Sequence, residues 1–151
     1  MDKLNFIKND FPKIVRSLSA EAKGNWGVLN AQQMVEHMSY SVHFATADFA
    51  TELVTPERNI EKFRAYALGE NEMAVNSKNR MLPDEPIPTK NIDMETAVKE
   101  YEAEVNAFVN YFETNKGATL MNPIFGEFTY DQWLHLHYKH AYHHAKQFGL
   151  V

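Results

Sequence analysis

The chain has 151 residues, with 15 Lys and Arg against 20 Asp and Glu, a formal charge of −5, 44% hydrophobic residues and no cysteine. Without cysteine there are no disulfides, no thiol nucleophile, no iron–sulfur cluster and no thiolate-ligated zinc, so any metal must sit on nitrogen and oxygen. The acidic balance, with Lys and Arg scattered rather than clustered, argues against a nucleic-acid partner, which needs a basic stripe to displace counterions.

A single domain over residues 1–151 is expected, since a chain of this length buries about 68–70% of the surface its unfolded form exposes. Met1 to Lys8 is polar within two positions of every apolar residue, and no run of 18 apolar residues occurs anywhere. Neither a signal peptide nor a membrane span is therefore expected, and the reading is a cytoplasmic protein.

Pro12 fits only the first turn of a helix, which divides the N-terminal segment into a separate turn over Asp2 to Lys8 and a helix from Pro12 to about Leu18. Asn30 with Gln33 has the form of a capping box. From there Met34, His37, Met38, Ser41, Phe44 and Ala45 recur at helical spacing to about Phe49, before Pro56.

Between Thr51 and Ile92 lies a long connection, of the kind that crosses a molecule or covers a site. It holds one short helix from Pro56 to Leu68, an irregular stretch from Met81 to Pro88, and a solvated acid pair, Asp84 and Glu85. A third long helix runs from near Asp93 to about Thr114, with Ala97, Tyr101, Val105, Phe108 and Phe112 as its apolar stripe and Gly117 as its stop. Thr129 with Gln132 repeats the capping box. The helix it opens carries Trp133, Leu136, His137, His140, His144 and Phe148 on a broad face and ends at Gly149.

No strand-period run stands out. Four principal helices, with one long crossover between the second and third, predict an all-α four-helix bundle, whose interior is the usual place for facing side chains to build a metal or ligand site.

Five of the seven histidines, His135, His137, His140, His143 and His144, fall within ten residues. Positions four apart share a helix face, so His140 and His144 can reach one ion. His135 points to the far side, and His137 and His143 flank the pair as supporting or surface groups. Histidines at this spacing also occur as simple hydrogen-bonding groups at the edge of a core, and two ligands alone make a weak site.

The third ligand must come from His37 or His43. If the Asn30 helix runs against the last helix, His37 lies seven residues inside one end and the midpoint of His140 and His144 seven residues inside the other, each about 10.5 Å at 1.5 Å per residue. The three imidazoles then share one level. His43 lies about 240° around the helix from His37 and reads as solvated or in contact with a loop.

Two long motifs carry a resemblance. The first is Trp26-Gly27-Val28-Leu29-Asn30-Ala31-Gln32-Gln33-Met34-Val35-Glu36-His37-Met38, and the last is His140-Ala141-Tyr142-His143-His144-Ala145-Lys146-Gln147-Phe148-Gly149. Together with the Asn122 to Trp133 segment they resemble the DinB/YfiT-like superfamily, and within it a bacterial branch of unassigned function.

The resemblance implies an up-down-down-up bundle with antiparallel second and fourth helices, a homodimer, and a divalent metal held by His37, His140 and His144. Many relatives have a His-Pro-x-Phe-Gly turn where this chain has Asn122 before Pro123, which makes Asn122 a candidate pocket residue. If the turn's first residue contributes to the pocket in relatives, its hydrogen-bonding role is altered here, while the three ligands are untouched.

Three neutral nitrogens leave a divalent ion with open positions, as in catalytic rather than closed structural sites. Water can be acidified there for hydrolysis, or a low-molecular-weight thiol held as thiolate for transfer, the second by analogy with some members of the superfamily. The candidate metals are Zn²⁺, Ni²⁺ and Fe²⁺. Ordinary imidazoles would lose the ion as pH falls below about 6.5.

Gln33 and Tyr40 lie one turn to either side of His37, and Gln147 lies near His144. Each is a candidate for orienting water, substrate or a ligand's free nitrogen, although Gln33 also completes the capping box. Trp26 and Trp133 are candidate pocket walls, with Phe125, or else ordinary core. Asp48 lies about 16 Å along the helix from His37, too far to be a ligand.

Three functions are open to such a chain. One is a metal-dependent transferase or hydrolase acting on a small molecule. The second is a non-catalytic metal-binding or stress-associated bundle, and the third a metal-free bundle with structural histidines.

Overall fold

The computed structural model describes residues 1–47, 52–78 and 82–151. Helices α1 (Lys3–Asn5), α2 (Phe11–Val15), α3 (Ala31–Thr46), α4 (Glu57–Leu68), α5 (Met94–Thr114) and α6 (Tyr130–Gln147) account for most of the described chain, with strands β1 (Leu120–Asn122) and β2 (Gly126–Phe128) before α6. No helix among the described residues is long and apolar enough to cross a membrane.

The N-terminal segment departs from expectation. Instead of a separate turn followed by a helix to Leu18, α1 and α2 are joined by a π-helical turn over Phe6–Asp10, and the run ends at Val15. The Phe11 N–H reaches back five residues to the Phe6 carbonyl. That wider turn accommodates Pro12, which can neither donate to the chain nor approach the carbonyl four residues before it. Phe6, Ile7, Phe11 and Val15 all reach the core as a result.

Both capping boxes form. The Asn30 side chain accepts from the Gln33 N–H while the Gln33 side chain accepts from the Asn30 N–H, and Thr129 and Gln132 do the same at the start of α6. Helix α3 stops at Thr46 because Ala47 is already extended. The expected continuation to Phe49, together with Asp48, Thr51 and Met81, lies outside the described residues. Helix α5 starts on Asp93, whose side chain accepts from the Thr96 N–H, and its five expected apolar positions are all buried. Asn115 caps its end and Gly117 comes next in the left-handed region.

The hairpin is the main departure from an all-α chain. Strand β1 pairs antiparallel with β2, Leu120 opposite Phe128 and Asn122 opposite Gly126. The Asn122 side-chain oxygen accepts from the Ile124 and Phe125 N–H groups at 2.9 and 3.1 Å, closing the turn from within.

Helix α3 packs most extensively on α5, and α6 touches α3, α4 and the N-terminal run. Glu36 fastens the end of the long connection to α3 by accepting from the Asn91 N–H and side-chain amide at 2.9 and 3.0 Å. Helix α4 is tied through its C-terminal half. Arg64 donates to the Phe125 and Glu127 carbonyls of the hairpin, and Lys139 donates to the Tyr66 and Gly69 carbonyls at its C-terminus. Tyr101 packs on Phe11 of the N-terminal run, Phe108 lies edge-on to His137 between α5 and α6, and Trp133 packs on Phe128 of the hairpin.

Candidate metal centre

His37 reaches the site from α3, while His140 and His144 stand one turn apart on α6. The Nε2 of His140 lies 2.9 Å from His37 Nε2 and 3.0 Å from His144 Nε2. One ligating atom from each residue can be chosen so that all lie within 4.8 Å of one another. Nitrogens sharing a tetrahedral ion at roughly 2.0–2.1 Å stand about 3.3 Å apart, so the two contacts at His140 Nε2 would open by a few tenths of an ångström to admit an ion.

Burial keeps these rings neutral. It pushes His37 down to about 4, with the nearby His143 adding to the shift, and His144 down to about 3, with His37 adding to it and a bond to Gln147 opposing it. His140 is also held well below the ordinary imidazole range, first by burial and then by its histidine neighbours. Neutral imidazoles have lone pairs to offer, and His140 Nε2 carries at most one proton for two close contacts. The donor set therefore fits a divalent cation.

Gln147, 4% exposed, hydrogen-bonds directly to the cluster. Its Oε1 lies 2.7 Å from His144 Nδ1, and its Nε2 donates to the Trp26 carbonyl at 2.8 Å. Trp26 is half-buried with its ring edge-on to His143, and its buried indole N–H has no partner among the described residues. His143 in turn packs edge-on against His144.

The remaining candidates have other partners. Gln33 completes its capping box and lies 3.5 Å from the Ile87 carbonyl. Tyr40 is 51% exposed and packs on Phe44. Trp133 is core, its indole N–H donating to the Leu120 carbonyl and its ring stacked on His137. Asn122 serves the hairpin turn and Phe125 stacks on Phe128.

The other histidines also have packing roles. His135 lies away from the cluster, where its Nε2–H donates to the Gly69 carbonyl and its Nδ1 accepts from Lys3. His43 is exposed, as expected, but its neighbour is Glu104 on α5 rather than a loop. His137 is buried between Phe108 and Trp133, and its Nε2 has no partner among the described residues.

Two groups about the site were not singled out from sequence, the main-chain carbonyl of Trp26 and Gly24. The signal available was the pair of glycines flanking Asn25 and Trp26, which marks a turn but not what it encloses.

A family model described as a protein of unknown function, DUF1569, matches residues 8–149. The chain belongs to this family. The matched DUF1569 region contains all three clustered histidines and Gln147. No curated protein and no solved structure matches the chain.

Proposed function

We propose that His37, His140 and His144 form a divalent-metal centre and that the protein is a metal-dependent enzyme acting on a small molecule. The observation that carries this reading is the meeting of three neutral imidazole Nε2 atoms from two helices distant in sequence. His37 and His140 are only partly buried, which supports access for water or substrate from that side. When bound, a divalent ion would supply Lewis acidity toward a water or a low-molecular-weight thiol, so hydrolysis and thiol transfer are the two reaction types to assay.

The chain's own contribution is to hold three lone pairs toward one point, to keep protons off them by burial, and to anchor His144 through Gln147. Zinc, nickel and iron all suit nitrogen ligation.

The proposed fold kinship is with the DinB/YfiT-like superfamily and its up-down-down-up bundle. Contact order supports it. Glu36 and His43 on α3 meet Asn91 and Glu104 in rising order, as parallel neighbours do, whereas Asn25 and His37 meet Gln147 and His140 in falling order.

Metal analysis and zinc titration of the wild type against His37→Ala, His140→Ala and His144→Ala test the centre. One ion per chain, lost in each folded variant, is the expected result. A wild type that takes up no divalent ion would overturn the reading. Turnover of hydrolysable or thiol-acceptor substrates, abolished by the same three changes, separates an enzyme from a protein that only holds the ion.

A further inference from the structure

We infer that Gln147 is the positioning residue of the histidine centre, and that the Trp26 carbonyl, acting through the Gln147 amide, fixes which nitrogen of His144 carries the proton. The inference rests on the reading of the cluster as a metal centre.

Donors and acceptors can be assigned one after another from the Trp26 end. A main-chain carbonyl only accepts, so the group facing Trp26 O at 2.8 Å is the amide NH₂ of Gln147. The amide oxygen is then turned to His144 Nδ1 at 2.7 Å, and it too only accepts. Nδ1 therefore carries the proton. A neutral imidazole protonated there presents its lone pair at Nε2, the atom that faces His140. Reversing the amide would set its oxygen against the Trp26 carbonyl oxygen, so the Trp26 end decides the orientation.

The turn before α3 holds that amide in place. Asn25 N–H donates to the Gln147 carbonyl at 2.7 Å, fastening the turn to the end of α6. A Cβ on Gly24 would lie 2.8 Å from Gln147 Cγ, and one on Gly27 would lie 2.6 Å from Gln147 Nε2. Gly27 also has φ +78°, a conformation costly for other residues. The two glycines thus let the main chain close around the side chain, and the Gly24–Gly27 turn becomes part of the centre although none of its atoms is a ligand. Groups that orient ligating histidines typically change metal affinity about 10- to 100-fold when removed.

The test uses ¹⁵N-labelled full-length protein, read without metal by long-range ¹H–¹⁵N correlation of the imidazoles and with metal by zinc competition against a chromophoric chelator. The wild type should show His144 protonated on Nδ1. Gln147→Met, which fills the same space without an amide, should give mixed His144 tautomers and about 10- to 100-fold weaker zinc binding. Gly27→Ala, in an exposed turn, should displace the amide and move both readouts the same way with Gln147 still present, which covers the case in which Gln147→Met does not fold.

A wild-type His144 protonated on Nε2, or a folded Gln147→Met with unchanged tautomer and zinc affinity, would overturn the inference. A wild type with the Nδ1–H tautomer but no zinc binding would uphold the positioning role and remove the metal reading instead.

Discussion

Tyr101, buried on α5, donates its hydroxyl to the main-chain carbonyl of Ile7 at 2.9 Å. Ile7 lies in the π-helical turn, so this bond ties the N-terminal run to the helix it packs against. Burial pushes the phenol's pKa up, keeping it a donor at any working pH. Tyr101→Phe keeps the ring and leaves a buried carbonyl unpaired, and it should cost about 1–2 kcal/mol in urea unfolding with little change in slope.

Zinc should act as a stabiliser. An ion that binds only the folded chain adds about 2.7 kcal/mol at 100 times its dissociation constant, so melts with zinc and with chelator should differ by several degrees. His140→Ala should abolish the difference, because it removes the nitrogen that both other rings face.

Proton competition for the ion should begin at lower pH than ordinary imidazole chemistry gives. His37 is lowered to about 4 and His144 to about 3, so in the folded protein both stay neutral as pH falls through 6.5. Zinc affinity measured by competition should therefore change little between pH 7.5 and 5.5. A steep loss near 6.5 would show that the rings titrate as exposed ones do.

Stability itself should fall on acidification. His137 is lowered by burial to about 3 against an ordinary 6.5, so between these values the unfolded chain binds a proton that the folded one refuses. The contribution is fully present above pH 6.5 and is lost toward pH 3, at about 1.4 kcal/mol per pH unit for this one group. His137→Leu should flatten the slope of unfolding free energy against pH. At pH 7 it should destabilise little, since it also removes a buried nitrogen without a partner.

Arg64 should matter to the hairpin more than to the histidines. It donates to two hairpin carbonyls and lies 4.8 Å above the Phe128 ring. Arg64→Met should speed hydrogen exchange in Leu120–Asn122 and Gly126–Phe128 while leaving zinc affinity within about two-fold, as expected for a change away from the site.

The sequence showed most where one local rule acts alone. Asn30 with Gln33 and Thr129 with Gln132 carry their helix starts in four residues each, and the α5 stripe is set by spacing. The level match of His37 with His140 and His144 needed only rise per residue and an assumed direction. The hairpin was illegible because three-residue strands give no alternation to read, and its closure depends on one Asn side chain and a contact from Arg64. Exposure of Tyr40 and burial of Trp133 depend on which helix lies opposite, which spacing on one helix does not encode. The Trp26 carbonyl could not be read as a partner of Gln147, because every residue has a carbonyl and only the folded turn directs this one.

The π turn over Phe6–Asp10 uses one more residue than an α-helical turn would. Deleting any one of Lys8, Asn9 or Asp10, all facing solvent, would narrow it to an α-helical turn with Phe6 and Phe11 four residues apart and still on one face. Pro12 would then sit inside a regular helix, with no N–H to give and its ring against the carbonyl four residues back, at a cost of about 3 kcal/mol. The N-terminal run therefore tolerates changes of residue type at these three surface positions but not a change in their number.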